Sequence, residues 1–155
     1  MNKKVLILVI LFFVIFSASA FSWGLGVAFG LNALGDLPGP GIMLSGKVDQ
    51  LPFLFGVGLT ISETYFNLGV TADWHFLREN LTGILNYYIG AGAFIGVGTN
   101  NFALGARLPL ALYIFPIEKL EVFLELAPAL GIGFNPVRFP TFNIQGALGF
   151  RYWFD

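Results

Sequence analysis

The sequence predicts an all-β protein, an antiparallel up-and-down transmembrane β-barrel of about eight strands. Three observations predict it. The 155 residues are 56% hydrophobic and only 11% charged, with 18 phenylalanines and 20 glycines, which is more apolar than soluble domains usually are. Beyond residue 20 the apolar residues recur with period two, the spacing of strands and not of helices. Every charge inside that pattern falls on the parity opposite the large apolar groups.

The first element is of a different kind. Residues 5–16 (VLILVILFFVIF) are unbroken apolar sequence behind Asn2-Lys3-Lys4 and ahead of Ser17-Ala18-Ser19-Ala20, the layout of a secretory signal peptide with small residues at the A-x-A positions. A helix of about 12 residues covers roughly 18 Å, short of a hydrocarbon core of about 30 Å, which favours a cleaved leader over an anchor. The expected division is a signal peptide over residues 1–20 and a barrel over residues 21–155. No cysteine occurs, so disulfides, thiolate metal sites and lipid attachment at an N-terminal cysteine are excluded. Without Lys3 and Lys4, six basic groups (eight less two) face nine acidic ones, a net of −3 that offers nucleic acid no basic footprint.

The strands follow in order. Trp23, Leu25, Val27, Phe29 and Leu31 alternate with Gly24, Gly26, Ala28, Gly30 and Asn32, large groups on one face and small ones on the other. Ile42, Leu44 and Val48 alternate with Ser45, Lys47 and Asp49; Phe53, Phe55, Val57, Leu59 and Ile61 with Gly56, Gly58, Thr60 and Ser62; Phe66, Leu68, Val70, Ala72, Trp74 and Phe76 with Asn67, Gly69, Thr71, Asp73 and His75. A fifth strand runs through Leu85, Tyr87, Ile89, Ala91, Ala93 and Ile95, and a sixth through Phe102, Leu104, Leu108, Leu110, Leu112 and Ile114. A seventh runs through Leu120, Val122, Leu124, Leu126 and Leu130, and the last through Phe142, Ile144, Leu148, Phe150, Tyr152 and Phe154.

The placement of charge decides which face is wet, because an Arg or Lys facing lipid at mid-bilayer costs about 2–4 kcal/mol. Lys47, Asp49, Asp73, Arg107, Glu121, Glu125 and Arg151 share the face opposite the apolar one, and are expected to form a charge network in the lumen. Asp36, Glu63, Arg78, Glu79, Glu118, Lys119, Arg138 and Asp155 fall in expected turns or at the terminus. A soluble sandwich would carry its charges outside and its Leu and Phe within. A soluble lipid-carrying barrel would need polar groups where this chain has glycine and alanine.

Turn-forming clusters separate the strands: Gly35-Asp36 with Pro38-Gly39-Pro40-Gly41, Gln50-Leu51-Pro52, Arg78-Glu79-Asn80, Thr99-Asn100-Asn101, Pro116 and Asn135-Pro136. Closure into a ring satisfies every backbone group in lipid, which an open sheet cannot do. With the N-terminus in the periplasm, one aromatic girdle collects Trp23, Phe53, Phe55, Trp74, Phe76, Tyr87, Phe115, Tyr152 and Phe154. The other collects Tyr65, Phe66, Phe102, Phe134, Phe139 and Phe142. The outer loops are then 32–41, 62–65, 98–101 and 133–141, all short.

The pattern resembles the small outer-membrane barrels of the OmpA and OmpX class, and more loosely a group of spirochaetal small barrels. The resemblance spans the mature chain and is architectural. It implies a bacterial outer-membrane location, contact with outer-membrane lipid, and assembly by the barrel-assembly machinery. The ending Gly149-Phe150-Arg151-Tyr152-Trp153-Phe154-Asp155 looks like the aromatic signal that machinery reads, with Phe150, Tyr152 and Phe154 as its aromatic positions, although Asp155 follows the last of them.

An eight-stranded lumen is filled by side chains, so inward charges must pair. Glu121 is expected opposite Arg151, and Arg107 near Glu125, as a packed ion-pair network; the functional alternative is a selectivity site or proton path. His75 is the single histidine. It suggests comparison with barrel enzymes that use His with Ser, but Trp74-His75-Phe76-Leu77 contains no His-x-Ser, so no catalytic residue, cofactor or metal site is expected. Pro109 and Pro128 interrupt the sixth and seventh strands and are expected either to share a bulge or to mark misplaced strand limits. Glycine runs such as Gly90-Ala91-Gly92 open no helix and carry no following lysine, so they are not phosphate loops. The expected role is structural, an envelope barrel with a closed lumen. A surface protein binding a partner through its first and last loops, or a narrow pore, are the alternatives.

Overall fold

The computed structural model of the chain describes residues 22–35, 41–49, 51–61, 63–64 and 66–154. The expected leader lies outside the described residues, as do Asp36, Tyr65 and Asp155. The chain is all-β: β1 (Trp23–Gly35), β2 (Ile42–Val48), β3 (Phe53–Ile61), β4 (Phe66–Thr82), β5 (Leu85–Gly98), β6 (Phe102–Arg107), β7 (Leu110–Ile117), β8 (Leu120–Phe134) and β9 (Arg138–Phe154). All pairings are antiparallel. β6 and β7 lie end to end between the same neighbours, β5 and β8, and so form one wall strand. The nine segments therefore make a ring of eight, closed by β1 on β9 and by β4 on β5. This is an up-and-down barrel in which each strand pairs with its sequence neighbours and no edge is left to catch another chain.

The period-two pattern dictates which side chains point where. Outward positions are exposed and apolar, among them Leu25, Phe29, Leu44, Phe55, Val57, Val70, Leu124 and Phe150. Inward positions are buried and small or polar, and their apolar members gather in two clusters: Tyr88, Tyr113 and Phe123 with alanines, and Phe94 with Ala103 and Ala129. This burial pattern inverts that of a soluble core, with the apolar groups outside and the polar groups within.

The interior closes partly because glycine lets strands and side chains approach. A Cβ on Gly131 would stand 3.0 Å from Phe94 Cζ, and one on Gly105 would stand 2.7 Å from Phe94 Cε1. The Phe94 ring therefore lies across two glycines and fills the space that their side chains would take. Gly24 does the same for Arg151, whose Cδ lies 2.6 Å from where a Cβ would be.

Four expectations about elements are corrected. The expected turn at Arg78-Glu79-Asn80 is strand: β4 runs on to Thr82 and turns at Gly83-Ile84, where Gly83 has φ +53, a conformation open to glycine. A register shift between His75 and Leu77 changes the parity there, so Arg78 turns inward and its guanidinium sits 5.2 Å from the Tyr113 ring centroid. Phe115 does not join the girdle; it packs on the interior cluster, in T-shaped contact with Tyr113. The last outer connection is only residues 135–137, since β8 reaches Phe134 and β9 begins at Arg138. Finally, Pro109 and Pro128 share no bulge. Arg107 pairs with Ala129 and Leu110 with Leu126, three residues on along each strand, so the register passes the break unchanged.

Candidate functional site in the barrel lumen

Inward positions carry six buried, formally charged side chains into the lumen, Lys47, Asp73, Arg107, Glu121, Glu125 and Arg151, besides the partly buried Arg78. By formal charge the six buried groups balance, three cations against three carboxylates. They fall into two groups at different heights.

Toward the end that carries the N- and C-terminal strand ends, β8 and β9 place Glu121 directly opposite Arg151. Arg151 Nη1 donates to Glu121 Oε1 at 2.5 Å, Trp153 Nε1 donates to Glu121 Oε2 at 2.9 Å, and Arg151 Nε donates to Ser45 Oγ at 3.2 Å. Both Glu121 oxygens are thus occupied, which is what a buried carboxylate needs. The Arg151 guanidinium also lies 4.8 Å from the centre of the Phe123 ring, and Lys47 Nζ lies 5.9 Å from the Trp153 ring centroid, so aromatic faces supplement the carboxylates around these cations.

The second group is centred on Arg107. It forms an ion pair with Glu125 through Nη2, donates from Nη1 to Gln145 Oε1 at 2.9 Å, and places Nε 3.2 Å from Asp73 Oδ1. That last contact is an ion pair and not a hydrogen bond by angle, so neither Asp73 oxygen receives a hydrogen bond among the described residues. Tyr88 Oη donates to the other Glu125 oxygen at 2.5 Å. The His75 ring stacks on Tyr88 at 4.0 Å between centroids and 17° between planes. Its two nitrogens have no hydrogen-bond partner among the described residues.

Among the residues expected in the network, Asp49 lies outside it. β2 ends at Val48, which leaves Asp49 in an exposed turn, with its side chain 57% accessible and 3.8 Å from Arg78 Nη1. The period-two pattern holds only while the strand lasts. The participants that sequence reasoning did not place in the network are Ser45, Tyr88, Phe123, Gln145 and Trp153; all but Tyr88, whose strand carries no charge, share the parity of the lumen charges on their own strands. Parity combined with the strand-to-strand register was the signal that would have found them. Phe150, Tyr152 and Phe154 point outward on β9, with Phe154 stacked on Trp23 at 4.3 Å across the closing pair.

Ser45, a buried serine, receives its hydrogen bond from Arg151, while His75 faces Tyr88. Among the described residues no group of His, Cys, Asp and Glu could hold a metal ion.

No protein-family model matches the chain, and no curated protein does. Two solved structures are similar to it. Neisserial surface protein A (NspA) aligns at 13% identity with a TM-score of 0.48, over 88% of this chain and 98% of that one. Ail, the attachment invasion locus protein of Yersinia pestis, aligns at 13% identity with a TM-score of 0.46, over 86% of this chain and 96% of that one.

Proposed function

We propose that the protein is an integral barrel of the bacterial outer membrane with a closed, side-chain-filled lumen, and that its role is structural, in the integrity of the envelope. The observation that carries this reading is the inverted burial: Arg107, Arg151 and Glu121 are at most 4% exposed, while Leu44, Phe55 and Phe29 are more than 50% exposed. Water around such a surface would be unfavourable by about 25 cal/mol for each Å² of apolar area, and lipid removes that cost. The charges inside gain nothing from solvent, yet every lumen carboxylate has a cation or donor beside it. A barrel of eight strands leaves an interior that side chains fill, and Phe94 lying over Gly105 and Gly131 supports a lumen without a through path.

The same reading includes assembly by the barrel-assembly machinery, and the outward aromatic positions Phe150, Tyr152 and Phe154 on β9 support it. The leader over residues 1–20 belongs to the same reading, as the export step. Catalysis is not part of it, because Ser45 is engaged by Arg151 and not by His75.

The test is to refold the mature chain in detergent and compare boiled with unboiled samples on a gel, with far-ultraviolet circular dichroism and planar-bilayer conductance. A compact unboiled band, a strand-dominated spectrum and no steady conductance are expected. A folded monomer that needs no detergent would overturn the membrane placement, and steady nanosiemens-scale steps would overturn the closed lumen. One observation favours a second reading as a surface interaction protein: Val137 in the last outer connection and Phe139 just beyond it are 74% and 70% exposed. Replacing residues 135–137 by a Gly-Ser turn abolishes partner binding on that reading and leaves the envelope phenotype unchanged on the first.

A further inference from the structure

Where β8 turns into β9, at the end away from the termini, lies an open pocket of about 190 Å³ lined by Asn101, Phe102, Phe134, Asn135, Arg138 and Thr141 among others. Phe102 and Phe134 form one wall, their ring centroids 5.5 Å apart. Arg138 brings the only cation. The chain's other arginines are matched with carboxylates, Arg78 with Asp49, Arg107 with Asp73 and Glu125, and Arg151 with Glu121. Arg138 has no ion pair among the described residues. Thr141, in the same lining, is 6% exposed, and its Oγ1 has no hydrogen-bond partner among the described residues. The cavity thus joins a buried hydroxyl that has no partner to an exposed guanidinium that faces no carboxylate, and both can donate to an anion.

What surrounds Arg138 narrows the acceptor. Its chain neighbours Val137 and Phe139 are 74% and 70% exposed, and Phe142 is 59% exposed. A cation set between apolar side chains at the rim of a membrane barrel matches the headgroup level, with the apolar groups toward the acyl chains and the charge toward the polar layer. A free anion would satisfy Arg138 and leave Val137 and Phe139 in water. A guanidinium binds phosphate through two parallel hydrogen bonds, and a lipid phosphate offers that acceptor together with the apolar surroundings.

We propose that this cavity seats the phosphate of a lipid headgroup in the outer leaflet, with Arg138 and Thr141 as donors and Val137 and Phe139 set into the acyl region. The proposal rests on the outer-membrane placement above and names a partner for that surface.

The test uses the refolded mature barrel in an uncharged detergent. Dihexanoyl phosphatidic acid, inorganic phosphate and dihexanoylglycerol are titrated separately while nitrogen-15 NMR follows the Arg138 Nε–H and Thr141 amide signals. A saturable shift with phosphatidic acid is expected. Losing the charge-assisted pair in Arg138→Gln weakens that binding about tenfold or more, with Arg138→Lys intermediate. Val137→Ser/Phe139→Ser weakens binding of phosphatidic acid and not of inorganic phosphate. Heat modifiability of each variant shows that its barrel is formed. Wild-type affinity in Arg138→Gln, or equal shifts with dihexanoylglycerol, would overturn the phosphate site. Equal affinity for inorganic phosphate, unaffected by the double serine variant, would overturn the lipid as its source. Failure of the membrane placement would show separately, as a folded monomer in the absence of detergent.

Discussion

In the lumen group nearer the chain termini, the buried Glu121–Arg151 pair and the glycine beside it each make a sharp prediction. Glu121 is wholly buried and receives Arg151 and Trp153 on its two oxygens. Removing one partner of a buried pair strands the other, at a cost of about 3–5 kcal/mol. Arg151→Met should therefore lose about that much in urea unfolding from vesicles, whereas adding Glu121→Gln should recover most of the loss, because the neutral amide no longer needs a cation. Equal destabilisation in the single and double variants would show that packing, and not the stranded charge, is what matters. Gly24 acts on the same arginine from across the closing pair. A Cβ there meets Arg151 Cδ at 2.6 Å, so Gly24→Leu should push the guanidinium off Glu121 and destabilise by about 1–3 kcal/mol, measurable in the same unfolding series. At this scale the sequence was legible where charge and parity coincide, as at Glu121 and Arg151. It was silent where the partner is uncharged: Trp153, Tyr88 and Gln145 become part of the network only once neighbouring strands are set in register.

At the scale of the strand, the informative place is the break between β6 and β7. Gly90 N–H donates to the Pro109 carbonyl and Leu108 N–H to the Pro128 carbonyl, both at 2.9 Å. In an antiparallel ladder the reciprocal bond runs back from the same residue, and proline has no N–H to give. The carbonyls of Gly90 and Leu108 thus lack their ladder donors, at adjacent points on the wall. Pro109→Ala restores a donor toward Gly90, a net gain of about 0.5–1.5 kcal/mol. It also gives back about 0.4–1 kcal/mol of unfolded-chain freedom. These nearly cancel, so the measurable consequence is protection: the new amide at position 109 should exchange as slowly as that of Gly90. Rapid exchange there would mean that the strand is splayed at the break and not merely short of one donor. The strands themselves were legible because large residues such as Phe53, Phe55 and Val57 alternate with small or polar ones along each run. Their ends were not, because Arg78-Glu79-Asn80 has turn composition while the partner segment that keeps it in strand, Asn86 to Tyr88 on β5, lies beyond the hairpin.

At the scale of the whole molecule, the question is what the apolar exterior faces, and the ring answers by where it can tolerate charge. Val57 sits at the centre of β3, 45% exposed, in register with Leu44 on β2 and with Val70 on β4. All three are outward and apolar, so position 57 is at the middle of the belt. Placing Val57→Arg there should cost about 2–4 kcal/mol in a bilayer, and the same charge near an interface only about 0–1 kcal/mol. Phe53→Arg, at the end of the same strand and 43% exposed, is the matched control, since it differs from Val57 in depth more than in exposure. Both variants are unfolded with urea from vesicles of one lipid composition, so a shared effect of losing an apolar side chain appears in both and the difference reports depth. A large loss at 57 with a small one at 53 means that hydrocarbon surrounds the middle of the barrel and water or headgroups surround its end. Equal losses would mean that the outer surface has no depth profile, and the exposed Leu, Phe and Val would then have to be covered by protein rather than by lipid.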